Sequence, residues 1–204
     1  MKGLLYKSWL NVKPVATYYI IFVVVFFLVS LLNGDPLYFA AICVMIGVAV
    51  PLASMTSDDK DGWEKFAVAA GISRARFALG RYLFALLCQL PGWLLSGLLV
   101  LLCEDKLAAL ATVLFYCGAG LFAAALLLPL VFRLGVEKSR VLLVLVMVLV
   151  FAAALTVGIL VFGEDALFTG LPLFALPAAM LAFGILSVAV SLPVGMHIFK
   201  NKDL

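Results

Sequence analysis

Chemistry in this chain would have to start from Ser57-Asp58-Asp59-Lys60-Asp61-Gly62, the densest run of potential ligands. A calcium loop of the EF-hand type needs glycine at its sixth place and a bidentate glutamate at its twelfth. With Gly62 sixth, the first place is Ser57 and the twelfth is Val68, so the calcium reading fails. Phosphate cradling fares no better. The nearest approach to GxxxxGK[ST] is Gly92 to Gly97, followed by Leu98 within an apolar run. Cys43, Cys88, Cys103 and Cys117 form no CxxC pair, which argues against a zinc site or a disulfide framework and for packing roles. His197 is the lone histidine, without visible metal partners, and suits an interfacial or helix-end position. No buried His, Glu, Asp or Ser constellation of a membrane protease is assembled. The expectation is a chain that is not an enzyme, with no metal and no cofactor of its own.

The elements that carry these residues follow from composition. The chain has 204 residues, 67% hydrophobic and 12% charged, against about 45–50% and about 25% for a soluble domain. Such a sequence cannot clothe itself in polar groups, so lipid is its solvent. A span needs about 20 apolar residues. Six stretches qualify: Val15–Leu32, Leu37–Ser54, Tyr82–Cys103, Leu107–Phe132, Val141–Phe162 and Leu173–Phe199. The predicted fold is therefore an all-α polytopic membrane protein, a single transmembrane domain over residues 1–204. The first span runs into the turn Asn33-Gly34-Asp35-Pro36 rather than a cleavage site, so it is expected to be retained.

Charge orients the spans. Of 14 Lys and Arg residues only Lys106 falls in a connector on the far side, and the rest lie in the termini and the second and fourth connectors. Lys and Arg in short loops resist translocation. Both termini are thus expected in the cytoplasm, with the protein in the cytoplasmic (inner) membrane. The net charge of +3 is a topology signal. A nucleic-acid partner is not expected, because no basic surface with interleaved aromatics lies outside the spans.

Residues 1–14 are too polar to span. Leu5, Ser8, Trp9 and Val12 share one helical face, which predicts a short interfacial helix ended by Pro14. The outer connectors are short and acidic. The one at 163–172, with Phe168, Leu171 and Pro172, has the make-up of a re-entrant turn.

Met55–Arg81 is the substantial polar segment. Within it Trp63, Phe66, Ala67 and Ala70 follow i, i+3, i+4, i+7 spacing and predict an amphipathic helix. Ser57, Asp58, Asp59 and Asp61 would precede that helix as a hydroxyl cap and as carboxylates at its positive end. Gly71 would close it, and Ser73 would cap the next. Gly135 would likewise end the fourth span, with Glu137 at the start of the fifth and Lys138 and Arg140 near anionic headgroups.

This order of interfacial helix, six spans and an amphipathic helix between spans two and three resembles the permease subunits of ABC-2 type exporters. Three pieces are similar to the small six-span branch found with bacterial peptide and bacteriocin (modulin-type) export. They are Met1-Lys-Gly-Leu-Leu-Tyr-Lys-Ser-Trp-Leu10, then Asp58-Asp-Lys-Asp-Gly-Trp-Glu-Lys-Phe66 with Ile72-Ser-Arg74 and Arg81-Tyr82-Leu83, and Pro129 to Arg140. Where relatives carry Leu-Pro, this chain has Ala70-Gly71.

The resemblance implies that residues 58–74 are a cytoplasmic coupling segment docking into a separate ABC ATPase subunit, where ATP-Mg would bind. Asp59, Trp63, Glu64, Phe66, Ile72, Ser73 and Arg74 would make that contact. Gly135, Glu137, Lys138 and Arg140 form a second cytoplasmic loop that either touches the ATPase or serves only as a helix end at the lipid surface. Trp63 and Phe66 have the alternative of anchoring on lipid. A second permease subunit, identical or not, would complete the pathway.

The spans hold no interior Asp, Glu, Lys or Arg, which disfavours ion-coupled transport. Their polar residues, such as Gln89, Ser96, Thr112, Thr156, Ser187 and Ser191, suit helix–helix contacts or an apolar path. Such a path fits an amphipathic peptide or another hydrophobic substrate moved outward. The rival reading is a non-transporting immunity or sensor protein that binds peptide.

Overall fold

A computed structural model describes residues 2–142, 144–145 and 174–201. Its helices are α1 (Lys2–Asn33), α2 (Leu37–Lys60), α3 (Trp63–Ala69), α4 (Arg74–Leu102), α5 (Lys106–Leu134) and α6 (Ala175–Lys200). A further helical stretch starts at 136–142. Among the described residues there is no strand, and five helices (α1, α2, α4, α5, α6) are long and apolar enough to cross a membrane. At 1.5 Å per residue the shortest of the five is about 36 Å long, more than the roughly 30 Å hydrocarbon layer. Most of the expected fifth span, the connector 163–172 with its re-entrant reading, and Thr156 lie outside the described residues.

From α1 through α5 the long helices alternate in direction, and α6 runs the same way as α5. The start of α1, the end of α2, all of α3, the start of α4 and the ends of α5 and α6 gather at one end, here called the basic end. α1 packs on α2 and α4, α2 on α4 and α5, and α6 chiefly on α5.

One expectation needs correction at α1. It is a single helix of 32 residues with Pro14 inside it, where a separate interfacial helix ended by Pro14 was expected. Proline deletes one backbone hydrogen bond and crowds the preceding turn, yet it is tolerated where both flanks are held. Here Ser8 and Val12 are buried before Pro14, and Val15 and Tyr19 pack on Phe84 and Val50 after it, while Pro14 itself faces outward.

The basic end holds the largest buried cluster. Leu52, Met55, Ala67, Phe77, Tyr82, Leu127, Phe132, Val136 and Phe199 come from every helix except α1, whose Leu4 packs against it. Phe199 stacks on Phe77 with centroids 5.1 Å apart and meets Phe132 at 5.3 Å. Tyr82 donates to the Ser191 carbonyl oxygen at 2.7 Å, and the Ser191 hydroxyl donates to the Ala125 carbonyl at 2.6 Å. α4, α5 and α6 are thereby stitched together.

Toward the middle the packing changes character. Gly118 of α5 and Gly184 of α6 lie backbone to backbone: a Cβ on Gly118 would stand 2.5 Å from the Met180 carbonyl, and one on Gly184 would stand 2.5 Å from the Gly118 carbonyl. Small residues of this kind let helices approach where lipid offers no hydrophobic drive. Gln89 of α4 fills the space left by Gly47 of α2 and donates to the Gly120 carbonyl of α5 at 3.0 Å. Of the polar span residues singled out from sequence, Gln89 and Ser191 bridge helices, and Thr112 bonds back to Ala108 in its own helix.

Candidate functional site

The polar segment between α2 and α4 folds as expected in its second half. Gly71 has φ of 85°, a left-handed turn that a side chain would strain, and ends the loop helix. The Ser73 hydroxyl accepts from the Arg76 amide at 3.4 Å and starts α4. Gly135, with φ of 80°, closes α5.

The first half differs from expectation. Ser57, Asp58 and Asp59 belong to the last turn of α2, Asp61 is its C-cap, and α3 starts from Gly62 without a side-chain cap. Carboxylates at a helix C-terminus oppose its dipole. Asp58 tolerates the place because three partners hold it inside. It is 1% exposed and pairs with the Lys7 ammonium of α1 and the Arg81 guanidinium of α4. The Asn11 side-chain amide donates to its Oδ1 at 2.7 Å and also to the Ser54 carbonyl at 3.3 Å. Arg81, 5% exposed, reaches Ser8 at 3.4 Å and lies over the Phe77 ring at 4.9 Å. One carboxylate thus locks α1, α2 and α4.

The lock extends to α3. The Lys7 ammonium sits 4.6 Å above the Trp63 ring, a cation–π contact that strengthens as water is excluded. Burial pulls the Lys7 ammonium below its ordinary value, Arg81 repels it further, and Asp61 acts in the opposite sense. Burial also works against the Arg81 charge, which Glu64 of α3 supports. The charges of α3 are therefore felt at the junction beneath it.

The expected one-sided aromatic face of α3 is split. Ala67 is fully buried, and Trp63 packs on the basic-end cluster beside Leu4 and Ile72. Phe66, its centroid 5.3 Å from that of Trp63, is 61% exposed. Trp63 mounts the helix and Phe66 is the aromatic it presents. Asp59 is exposed beside it, Glu64 is partly exposed, and Arg74 donates to the Lys200 carbonyl at 2.6 Å, which ties the loop to the end of α6. In the second loop Glu137, Lys138 and Arg140 are exposed while Val136 and Ser139 are buried. Val136 belongs to the same cluster as Ala67, with Ile72 packed against it, so the two loops share one foundation.

Sequence reasoning missed the ionic junction. It gave Lys7 and Arg81 as topology charges and as members of the family-like pieces, and Asp58 as a carboxylate ahead of the loop helix in the coupling segment. A signal was present: the buried stripe of α2 runs Gly47, Pro51, Ser54, Asp58, and that of α4 runs Ala78, Arg81, Ala85, Gln89. Both charges sit in register with the apolar face.

These features define a multi-pass helical membrane protein with a rigidly mounted loop at its basic end. Residues 3–200 match the model of a family described as ABC-2 family transporter protein, and the chain belongs to that family. Membership implies a membrane setting and an ABC ATPase partner. Neither the curated proteins nor the solved structures gave a match.

Proposed function

We propose that this chain is the permease subunit of an ATP-driven exporter, with six spans, both termini in the cytoplasm and ATP hydrolysis on a separate subunit. α3 is its coupling helix. The carrying observation is the pair of opposed faces on α3: Trp63 and Ala67 are fixed to the bundle, and Phe66 projects outward. A buried aromatic anchor is the kind of group that dominates protein interfaces. A helix that transmits force also needs a stiff mount, and the Asp58 junction supplies one.

ATP binding would close the ATPase dimer and draw the coupling helices of two permease subunits together. Through Asp58 that displacement reaches α1, α2 and α4 as one body. The result is a population shift between inward- and outward-facing states biased by nucleotide. The substrate is an amphipathic or hydrophobic molecule, a peptide foremost, in keeping with spans free of interior charge apart from the junction at the basic end.

The test is co-expression with an ABC ATPase, followed by affinity capture and ATP hydrolysis in reconstituted membranes. The Phe66→Ala variant is expected to weaken capture about 30-fold, the loss of one interface anchor of about 2 kcal/mol. Capture and stimulated hydrolysis unchanged by Phe66→Ala would sink the docking role. A chain that binds peptide but never an ATPase would favour the immunity or sensor reading instead.

A further inference from the structure

Between α1 and α4, with Val50 of α2 as its floor, lies an apolar cavity of about 350 Å³ that opens to the side of the bundle. Trp9, Ala16 and Ile20 form one wall, and Phe84, Cys88 and Pro91 form the other. Among the described residues no carboxylate lines it. The loop surface described above makes no use of this cavity.

A cation stands at the edge of this groove. Lys13 is exposed and lies one helical turn from both Trp9 and Ala16, on the edge of the stripe that lines the cavity. Beyond Lys13 the described lining residues are apolar apart from the Tyr19 hydroxyl and the Cys88 thiol. The shape excludes a fully inserted helix, since a cylinder about 10 Å wide fills roughly 400 Å³ per turn. A single flexible hydrocarbon chain fits.

We infer that the α1–α4 groove is a binding site for one anionic phospholipid, with an acyl chain along Ala16, Ile20, Cys88 and Pro91 and the headgroup phosphate at Lys13. Basic residues at a membrane surface each favour an anionic over a zwitterionic headgroup by about fivefold, and the long Lys13 stem can reach outward to meet it. The site does not depend on the coupling role of α3.

Two measurements test it. In the first, Trp9, Trp63 and Trp93 are replaced by Phe and Ile20→Trp supplies a single reporter. The protein is reconstituted in phosphatidylcholine nanodiscs with a small fraction of lipid brominated on its acyl chain. Brominated phosphatidylglycerol should quench the reporter several-fold more than the same fraction of brominated phosphatidylcholine. The excess should vanish in Lys13→Gln and in Ala16→Phe, which fills the groove. Equal quenching by the two lipids, or an excess that survives both substitutions, overturns the assignment. Absence of quenching by either lipid also overturns it, and shows that a second copy or a protein cargo covers the groove.

In the second, native mass spectrometry of the wild-type chain with a mixture of the two lipids should retain phosphatidylglycerol preferentially. Lys13→Gln should retain one fewer. Equal retention by wild type and variant counts against the site.

Discussion

The basic end and the α5–α6 seam hold helices together by opposite means. At the basic end, opposite charges and rings meet around Asp58 and Phe199. At the seam, Gly118 and Gly184 bring backbones into contact with no side chain between them. Charge pairing needs burial and partners in the right places, and loses everything when one partner goes. Backbone contact needs only the absence of a Cβ. The first arrangement stores its specificity in three charged side chains; the second stores it in nothing at all.

The comparison can be broken most sharply at Asp58. Asp58→Ala leaves Lys7 and Arg81 without their carboxylate in a buried place, and should destabilise the fold by about 3–5 kcal/mol. A drop in the thermal midpoint of the detergent-purified chain would read this out. The seam comes next. Gly118→Val would press a branched side chain on the Met180 backbone and should cost about 3 kcal/mol. Its signature is loss of the α5–α6 contact, scored by cross-linking between cysteines placed on the two helices.

A sharper version removes the charges together. Lys7→Met, Asp58→Leu and Arg81→Met in one chain should restore most of the stability lost in Asp58→Ala, because apolar replacement of a buried ionic group is often neutral. ATP-coupled transport should still be impaired if the junction carries displacement from α3. Full transport by this triple variant would show that the charges only hold the fold.

Smaller effects follow at single hydrogen bonds. Tyr82→Phe removes the bond to Ser191 and should cost about 1 kcal/mol. Ser73→Ala removes the α4 cap and should cost about 1 kcal/mol as well, with faster amide exchange confined to the first turn of α4.

Local chemistry was legible in the sequence. Gly71, Ser73 and Gly135 act where their types demand, because a positive φ or an N-cap is decided within a few residues. Four of the expected apolar runs after the first coincide with long helices. Pro14 misled because a proline breaks a helix only when its flanks are free, and here tertiary packing holds them. The facing of Phe66 and the inward turn of Asp58 depend on partners from 23 to more than 50 residues away. No local period encodes those, although the stripes through Asp58 and Arg81 hinted at them.

The Asp58 junction has a bearing on biosynthesis. Its cations come from the first and fourth helices, 73 residues apart at the Ser8–Arg81 bond. At about 5–20 residues per second, Arg81 is made several seconds after Lys7 and Asn11. Until then the newborn α1–α2 hairpin carries an aspartate with two of its three partners. The first two helices can enter the membrane in order, but the first turns of α1 and the last turn of α2 cannot settle until α4 arrives. A ribosome stalled just before Arg81 should therefore expose a hairpin that is inserted yet still protease-sensitive at its basic end.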